Sequence, residues 1–262
     1  MDTINRSVLI VGLDSKIGRA LSNYLGDKKF NVWGTSRRGV GKKTFLLDLA
    51  YRNSNFPRIH FDTVIICAGI TNVSDCEEHP VESEIVNVYN TIKLIDKLLE
   101  DGSYVIFLSS NSVFDGTKTF NAHNDSTKPV SNYGKYKVKV EEYLQNQNKS
   151  AAVLRLTKVM TANPEFVERW EEACDEGVDI LAYKNRFFSP ITIGSVVETI
   201  HLMLDKEPSG IFQLGGTEEI SYFEYAKLHF SHNAKKLKLI KGVEDPSMNH
   251  GRHNSLRTHL PF

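Results

Sequence analysis

Ser7-Val8-Leu9-Ile10-Val11-Gly12-Leu13-Asp14-Ser15-Lys16-Ile17-Gly18 is the stretch whose reading decides the fold. Residues 7–11 form an apolar run of the kind a parallel strand buried on both faces requires. A helical pattern follows from Arg19 to Leu25, with Ile17, Leu21 and Leu25 on its apolar side. Strand, glycine turn and helix form the setting in which such a loop binds a dinucleotide. Gly12 permits the tight turn, Gly18 lets helix and strand pack closely, and the helix N-terminus faces a pyrophosphate. Ser15 replaces the middle glycine and is small enough to keep backbone approach open. A glycine pair elsewhere would read as a plain turn; after the first strand and before an amphipathic helix it predicts a cofactor site at Gly12, Ser15, Lys16, Ile17 and Gly18.

Working outward, Asn31 to Thr35 reads as a second strand. An NAD-preferring site places Asp or Glu at its end, against the ribose 2′-hydroxyl. Here Thr35-Ser36-Arg37-Arg38 follows, with no carboxylate expected in reach. Ser36 and Arg37 suit a 2′-phosphate, which a guanidinium grips bidentately, so the sequence predicts NADPH (NADP+) as cofactor. Phe45 to Leu47 is a short third strand leading to Asp48, expected at the adenine, and Leu49. Thr63 to Ala68 is the next buried strand, and Ala68-Gly69 would let backbone run beside the cofactor. A helix from Val81 to Glu100, a strand from Tyr104 to Ser109, a helix from Tyr133 to about Gln147 and a strand from Ala151 to Leu156 complete a βαβ alternation. The fold class is therefore α/β, a Rossmann-like doubly wound parallel sheet with a small mixed α/β C-terminal part. Residues 1–157 form the NADP-binding domain. Residues 158–262 are mostly a substrate-binding part, from which segments at about 178–204 return to the core. In that part Asn163-Pro164 predicts a capped helix to about Glu176, Val178 to Ala182 a strand, and Ser221-x-x-Glu224 a capping box.

A second signal lies between Leu108 and Lys137. Ser109-Ser110 ends the buried strand, and Tyr133 and Lys137 fall one turn apart on one helix face. A Lys ammonium beside a phenol favours the phenolate and is expected to lower the Tyr133 pKa from about 10. The Ser110 hydroxyl would hold a carbonyl or alcohol oxygen against that tyrosine. The Tyr-x-x-x-Lys spacing also occurs at Tyr24/Lys28 and Tyr89/Lys93, inside predicted helices. There an ordinary surface pair is the better reading. The position after a Ser-Ser strand end singles out Ser110, Tyr133 and Lys137 as catalytic.

Composition narrows the class. The 262 residues carry 32 basic and 32 acidic side chains, giving a formal net charge of zero. This argues against a dedicated nucleic-acid or membrane-surface binder, since both rely on positive excess. Cys67, Cys76 and Cys174 lack metal-ligand or disulfide spacing and read as reduced thiols of a cytoplasmic protein. No apolar run approaches the roughly 18 residues that span a bilayer, and no signal peptide is expected. His250-Gly251-Arg252-His253 lacks supporting ligand spacing, so the tail histidines are expected to be exposed. Composition leaves room for a sizeable core, with 40% hydrophobic residues.

These residues together resemble the extended short-chain dehydrogenase/reductase superfamily, and within it the dTDP-4-dehydrorhamnose reductase-like, sugar-nucleotide-binding branch. Ser109-Ser110-Asn111-Ser112-Val113-Phe114-Asp115-Gly116 is similar to the branch's Ser-Thr-Asp-Tyr-Val-Phe-Asp-Gly signature. Ala68 to Glu77, Phe188-Ser189-Pro190-Ile191, Gly210 to Gly216 and Arg252 to Thr258 resemble four further segments. The resemblance implies hydride transfer from NADPH to C4 of a nucleotide-linked 4-keto-(6-deoxy) sugar. Ser110 would bind the carbonyl, Tyr133 would donate the proton, and Lys137 would bind the nicotinamide ribose. Thr71, Ser110, Asn111, Ser112 and Asn163 would face the substrate, and Asn87 matches an Asn-Val motif of structural character. A homodimer is the common assembly of the superfamily. Ser15, Asn111-Ser112 and a short Arg155–Phe188 segment depart from the family pattern and leave the nucleotide and sugar open. An epimerase or dehydratase that retains its cofactor, and a non-catalytic NADP-binding regulatory subunit, are the alternatives.

Overall fold

The computed structural model describes residues 6–39, 41–51, 59–147, 150–246 and 252–262. Its first half runs β1 (Ser7–Val11), α1 (Lys16–Asp27), β2 (Asn31–Ser36), β3 (Thr44–Leu46), β4 (Thr63–Ile66), α2 (Val73–Glu78), α3 (Pro80–Glu84), a π-helical turn (Ile85–Asn90), α4 (Thr91–Glu100) and β5 (Tyr104–Ser110). It continues through α5 (Asn132–Gln145), β6 (Ala151–Leu156), β7 (Lys158–Met160), α6 (Glu165–Asp175), β8 (Ile180–Tyr183), β9 (Phe187–Phe188), β10 (Pro190–Thr192) and α7 (Ile193–Lys206). The last elements are β11 (Gly210–Leu214), β12 (Ile220–Ser221), α8 (Tyr222–His229), α9 (Ala234–Lys238) and β13 (Ile240–Val243).

Seven strands form one parallel sheet in the order β11-β6-β5-β4-β1-β2-β3. The order reverses between β1 and β4, which is where doubly wound sheets open a ligand crevice at their strand C-termini. Val8, Leu9, Ile10 and Val11 are all buried, because helices cover both faces of the sheet. One core layer joins Ile10, Leu21, Ile106, Leu154 and Ile200; the other joins Leu9, Val64, Ile95, Phe107 and Val153. Each such side chain contributes about 1.5–3 kcal/mol by leaving water.

The C-terminal segments divide between two places. α7 packs on α1 and β11 pairs with β6, so both belong to the large sheet's layers. β8 instead pairs with β13 in a separate two-stranded sheet, roofed by α6 and α8. Of residues 178–204, α7 therefore lies against the large sheet's layers, and β8 lies in the small one. Asn163 does not cap α6; Pro164 occupies the cap without a side-chain bond, since its ring fixes the extended entry. Ser221 does cap α8, its Oγ accepting the Glu224 N–H at 3.0 Å. The predicted Val81–Glu100 helix is continuous but carries the π turn at Asn87. Among the described residues no helix is long and apolar enough to cross a membrane, and no group of His, Cys, Asp or Glu is arranged for a metal. His250 lies outside the described residues. His253 is not exposed as expected: it is half-buried, pairs with Glu219 at 2.6 Å and stacks on Phe187.

A buried ion pair ties the layers together. Arg155 Nη2 donates to Glu141 Oε2 at 2.7 Å, and both side chains are almost fully enclosed. The Ser109 hydroxyl donates to Glu141, and Arg155 Nη1 donates to Gln213 Oε1 and the His123 carbonyl. Strands β5 and β6 and helix α5 thus meet at one carboxylate, and β11 joins them through Arg155. Arg155→Ala strands that carboxylate and is expected to cost about 3–5 kcal/mol, read as a lowered urea midpoint. A loss below about 1 kcal/mol would contradict the role.

Candidate active site

A cavity of about 820 Å³ opens at the switch point, over the C-terminal ends of β1, β2, β3 and β4. Gly12, Asp14 and Ser15 line one wall, Thr35 to Arg38 a second, Leu47 to Ala50 and Cys67 to Asn72 a third, and side chains from Asp75 to Val86 a fourth. Gly12 has φ +90°, and a Cβ there would lie 2.8 Å from the Ala68 nitrogen. Only glycine fits both the turn and the contact between β1 and β4. Ser15 caps α1, its Oγ accepting the Gly18 N–H at 2.9 Å, and also faces the cavity. Gly18 is buried against the Gly12 carbonyl, where any Cβ would come within 2.4 Å, so it packs the helix onto the turn. Lys16, Ile17 and Gly18 are outside the cavity lining; Ser36, Arg37, Asp48, Leu49, Ala68, Gly69 and Thr71 are in it.

The wall at the end of β2 holds a carboxylate that the sequence reading did not place there. Asp14 belongs to the glycine loop, yet its Oδ2 accepts the Ser36 hydroxyl at 2.5 Å. The Ser36 Oγ in turn accepts the Arg38 N–H at 3.0 Å. The expected absence of a carboxylate is corrected: the strand end lacks one, and the neighbouring loop supplies it. Loop-to-strand proximity at a switch point was the available signal. Arg37 and Arg38 are exposed and pair with no carboxylate among the described residues. Asp48 accepts the Ala50 N–H at 2.9 Å.

Ser110, Tyr133 and Lys137 come together outside the cavity lining, where Tyr133 belongs to a cluster packed against Ile70, one of the lining residues. Ser110 ends β5, and its Oγ accepts the Ser112 N–H at 3.1 Å, fixing the turn that follows. Asn111 Nδ2 donates to Asn254 Oδ1 at 2.9 Å, and Asn254 Nδ2 donates to the Phe187 carbonyl. The chain-closing segment is thereby fastened beside the strand end. Asn163 is exposed, and no hydrogen bond among the described residues joins it to this group.

Helix α5 starts at Ser131, whose Oγ accepts the Gly134 N–H at 3.2 Å. A Cβ on Gly134 would lie 2.1 Å from the Ser112 carbonyl oxygen. Glycine therefore lets the helix press against the turn and deliver Tyr133 to Ser110, a function the sequence reading did not assign. Tyr133 is buried, and the Ser110 hydroxyl hydrogen-bonds it. Lys137 Nζ donates to the Leu108 carbonyl at 2.8 Å and sits 4.4 Å from the centre of the Phe107 ring and 5.7 Å from that of Tyr133. Glu141, one turn further, completes a Tyr133/Lys137/Glu141 stripe. Asn87 clasps the cavity's other wall, exchanging two hydrogen bonds with the Ile70 backbone at 2.8 and 2.9 Å.

The electrostatics reverse the expected tyrosine shift. Burial pushes the Tyr133 phenol up to about 12, and the Ser110 hydrogen bond only partly opposes it. Burial also presses Lys137 down to about 8, with Glu141 pulling the other way. Enclosure sets the direction of the shift and outweighs the Ser110 hydrogen bond, so Tyr133 is a neutral phenol able to donate a proton.

A parallel sheet with a glycine-turn crevice, and a Ser-Tyr-Lys cluster on β5 and α5 packed behind its Ile70 wall, defines an extended short-chain dehydrogenase/reductase. A family model described as the RmlD substrate binding domain matches residues 6–255, and the chain belongs to that family. A dTDP-4-dehydrorhamnose reductase of Sinorhizobium fredii is 30% identical over 204 residues, covering 73% of this chain and 68% of that protein. Methionine adenosyltransferase 2 subunit beta of Bos taurus is 26% identical over 240 residues, covering 85% of this chain and 70% of that one. The solved dTDP-4-dehydrorhamnose reductase of Bacillus anthracis, in complex with NADP, superposes with TM-score 0.85 at 18% identity, covering 97% of this chain and 91% of that one. That likeness shows a shared fold.

The lysine shift has a stability consequence. Lys137 falls from about 10.4 unfolded to about 8 folded, so between those values the unfolded chain binds more protons and stability rises with pH. Lys137→Met removes this gain. Its stability relative to wild type is expected to drop by on the order of 2 kcal/mol between pH 8 and pH 10, by urea titration at each pH. A pH-independent difference would contradict the buried-ammonium assignment.

Proposed function

We propose that the chain is an NADPH-dependent reductase of a nucleotide-linked 4-keto sugar. The observation that carries the reading is the joining of Ser110, Tyr133 and Lys137 beside a cleft with room for a dinucleotide. The cleft's features fit that cofactor: the bare Gly12 turn, the α1 N-terminus, and Arg37 and Arg38, which pair with no carboxylate among the described residues. The NADP in the Bacillus anthracis relative supports the same choice. In this reading residues 1–157 hold the cofactor, and the C-terminal part supplies most of the substrate surface.

When bound, the cofactor supplies a hydride to the sugar's C4. Ser110 hydrogen-bonds the carbonyl oxygen and aims it at Tyr133. The phenol donates its proton to that oxygen as negative charge develops there. Lys137, mostly protonated at neutral pH, stabilises the phenolate left behind. The substrate gains a hydride and a proton and leaves as the alcohol.

A subunit role is the second reading, favoured by the likeness to methionine adenosyltransferase 2 subunit beta. The readings separate on turnover. Purified protein with dTDP-, UDP-, GDP- and CDP-linked 4-keto-6-deoxy sugars is expected to consume NADPH with one of them. Tyr133→Phe is expected to slow that consumption by about 10²–10⁴-fold, the usual contribution of a general acid. Equal rates for wild type and mutant, or no consumption with any sugar, would overturn the reductase reading in favour of the cofactor-retaining epimerase or the subunit.

A further inference from the structure

Two kinds of group compete for the same end of the cleft. Arg37 and Arg38 offer positive charge suited to a 2′-phosphate. Asp14 offers the opposite: a carboxylate, lining the same cavity, with no ion pair among the described residues. One of its oxygens, Oδ2, is taken by the Ser36 hydroxyl at 2.5 Å; no hydrogen bond to Oδ1 occurs among the described residues. Arg19 is not its counter-ion, since the Arg19 guanidinium donates to the Asp14 main-chain carbonyl at 3.0 and 2.8 Å. The loop carrying Asp14 is held to β2 independently, by Leu13 N–H to the Thr35 carbonyl at 2.9 Å and by Gly12 N–H to Thr35 Oγ1 at 3.1 Å. The carboxylate is thus fixed at the β2 end without being needed to hold the loop there.

A ribose 2′-hydroxyl is a donor and seeks an acceptor, which is why dinucleotide sites commonly place an acid at the end of this strand. Asp14 presents that acid from the adjoining loop. A 2′-phosphate at the same place carries about −1.5 to −2 charges at neutral pH and is repelled by the carboxylate. We propose that Asp14 is a specificity-determining residue of the cofactor site, accepting the ribose 2′-hydroxyl so that the cleft takes NADH as well as NADPH. The inference rests on the reading of the cleft as a nicotinamide-dinucleotide site. It deepens that reading by dividing cofactor choice between two opposed groups, the Arg37/Arg38 pair and Asp14.

The test measures dissociation constants for NADPH and NADH separately, from cofactor fluorescence without sugar present. Wild type is expected to bind both. Asp14→Asn is expected to weaken NADH about tenfold and tighten NADPH about tenfold, the scale of one charge-assisted hydrogen bond gained or lost. Asp14→Glu, which keeps the charge, is expected to retain NADH binding within that margin, and Arg37→Ala to shift the ratio the other way. Asp14→Asn that leaves the ratio of the two constants unchanged, or weakens both cofactors equally, overturns the proposal and makes Asp14 a tie to Ser36 only. Wild type that binds NADPH alone also overturns it. Wild type that binds neither overturns the cleft assignment as well, an outcome distinct from an unchanged ratio.

Discussion

Helix α5 can sit where it does only because Gly134 has no side chain. Its Cα lies so close to the Ser112 carbonyl that one added carbon would collide. That contact sets the distance between the end of β5 and the start of α5, and so whether Tyr133 meets Ser110 at all. Further along the same helix face, Lys137 reaches the Leu108 carbonyl and Glu141 meets Arg155. The helix is therefore pinned at both ends of one stripe: sterically at Gly134, electrostatically at Glu141. The chemistry of the cluster inherits its geometry from these two constraints.

The same enclosure governs the protonation states. A tyrosine and a lysine a turn apart would, in water, favour phenolate and ammonium together. Here both are buried, and the cost of charge without solvent raises the phenol and lowers the ammonium. Glu141 moderates the lysine's shift but is itself shared with Ser109 and Arg155. The outcome is a donor held protonated beside a cation, which suits reduction, where the site must give a proton away.

Much of this was legible in the sequence, and the failures have physical causes. The βαβ alternation and the strand at residues 151–156 follow from local hydrophobic pattern, which buried parallel strands express strongly. Ser110, Tyr133 and Lys137 were readable because strand end and helix start are consecutive in the chain. Asp14 was missed because its partner, Ser36, lies on another strand, and only the folded sheet brings loop and strand end together. Gly134 was missed because close approach of a helix to a turn leaves no periodic signature. The tyrosine shift was predicted with the wrong sign because i,i+4 spacing reports neighbours and says nothing of burial. The placement of β8 outside the large sheet depends on β13, about sixty residues later, and has no local signal.

The claim on which the account turns is that burial against the Ser112 turn holds Tyr133 as a neutral acid. The direct measurement is a spectroscopic titration of phenolate absorbance in wild type and Tyr133→Phe, the difference isolating that one tyrosine. The expected difference curve has its midpoint at about 12. A midpoint at or below the ordinary value of about 10 would contradict it and restore Lys137 as the group that sets the tyrosine's charge.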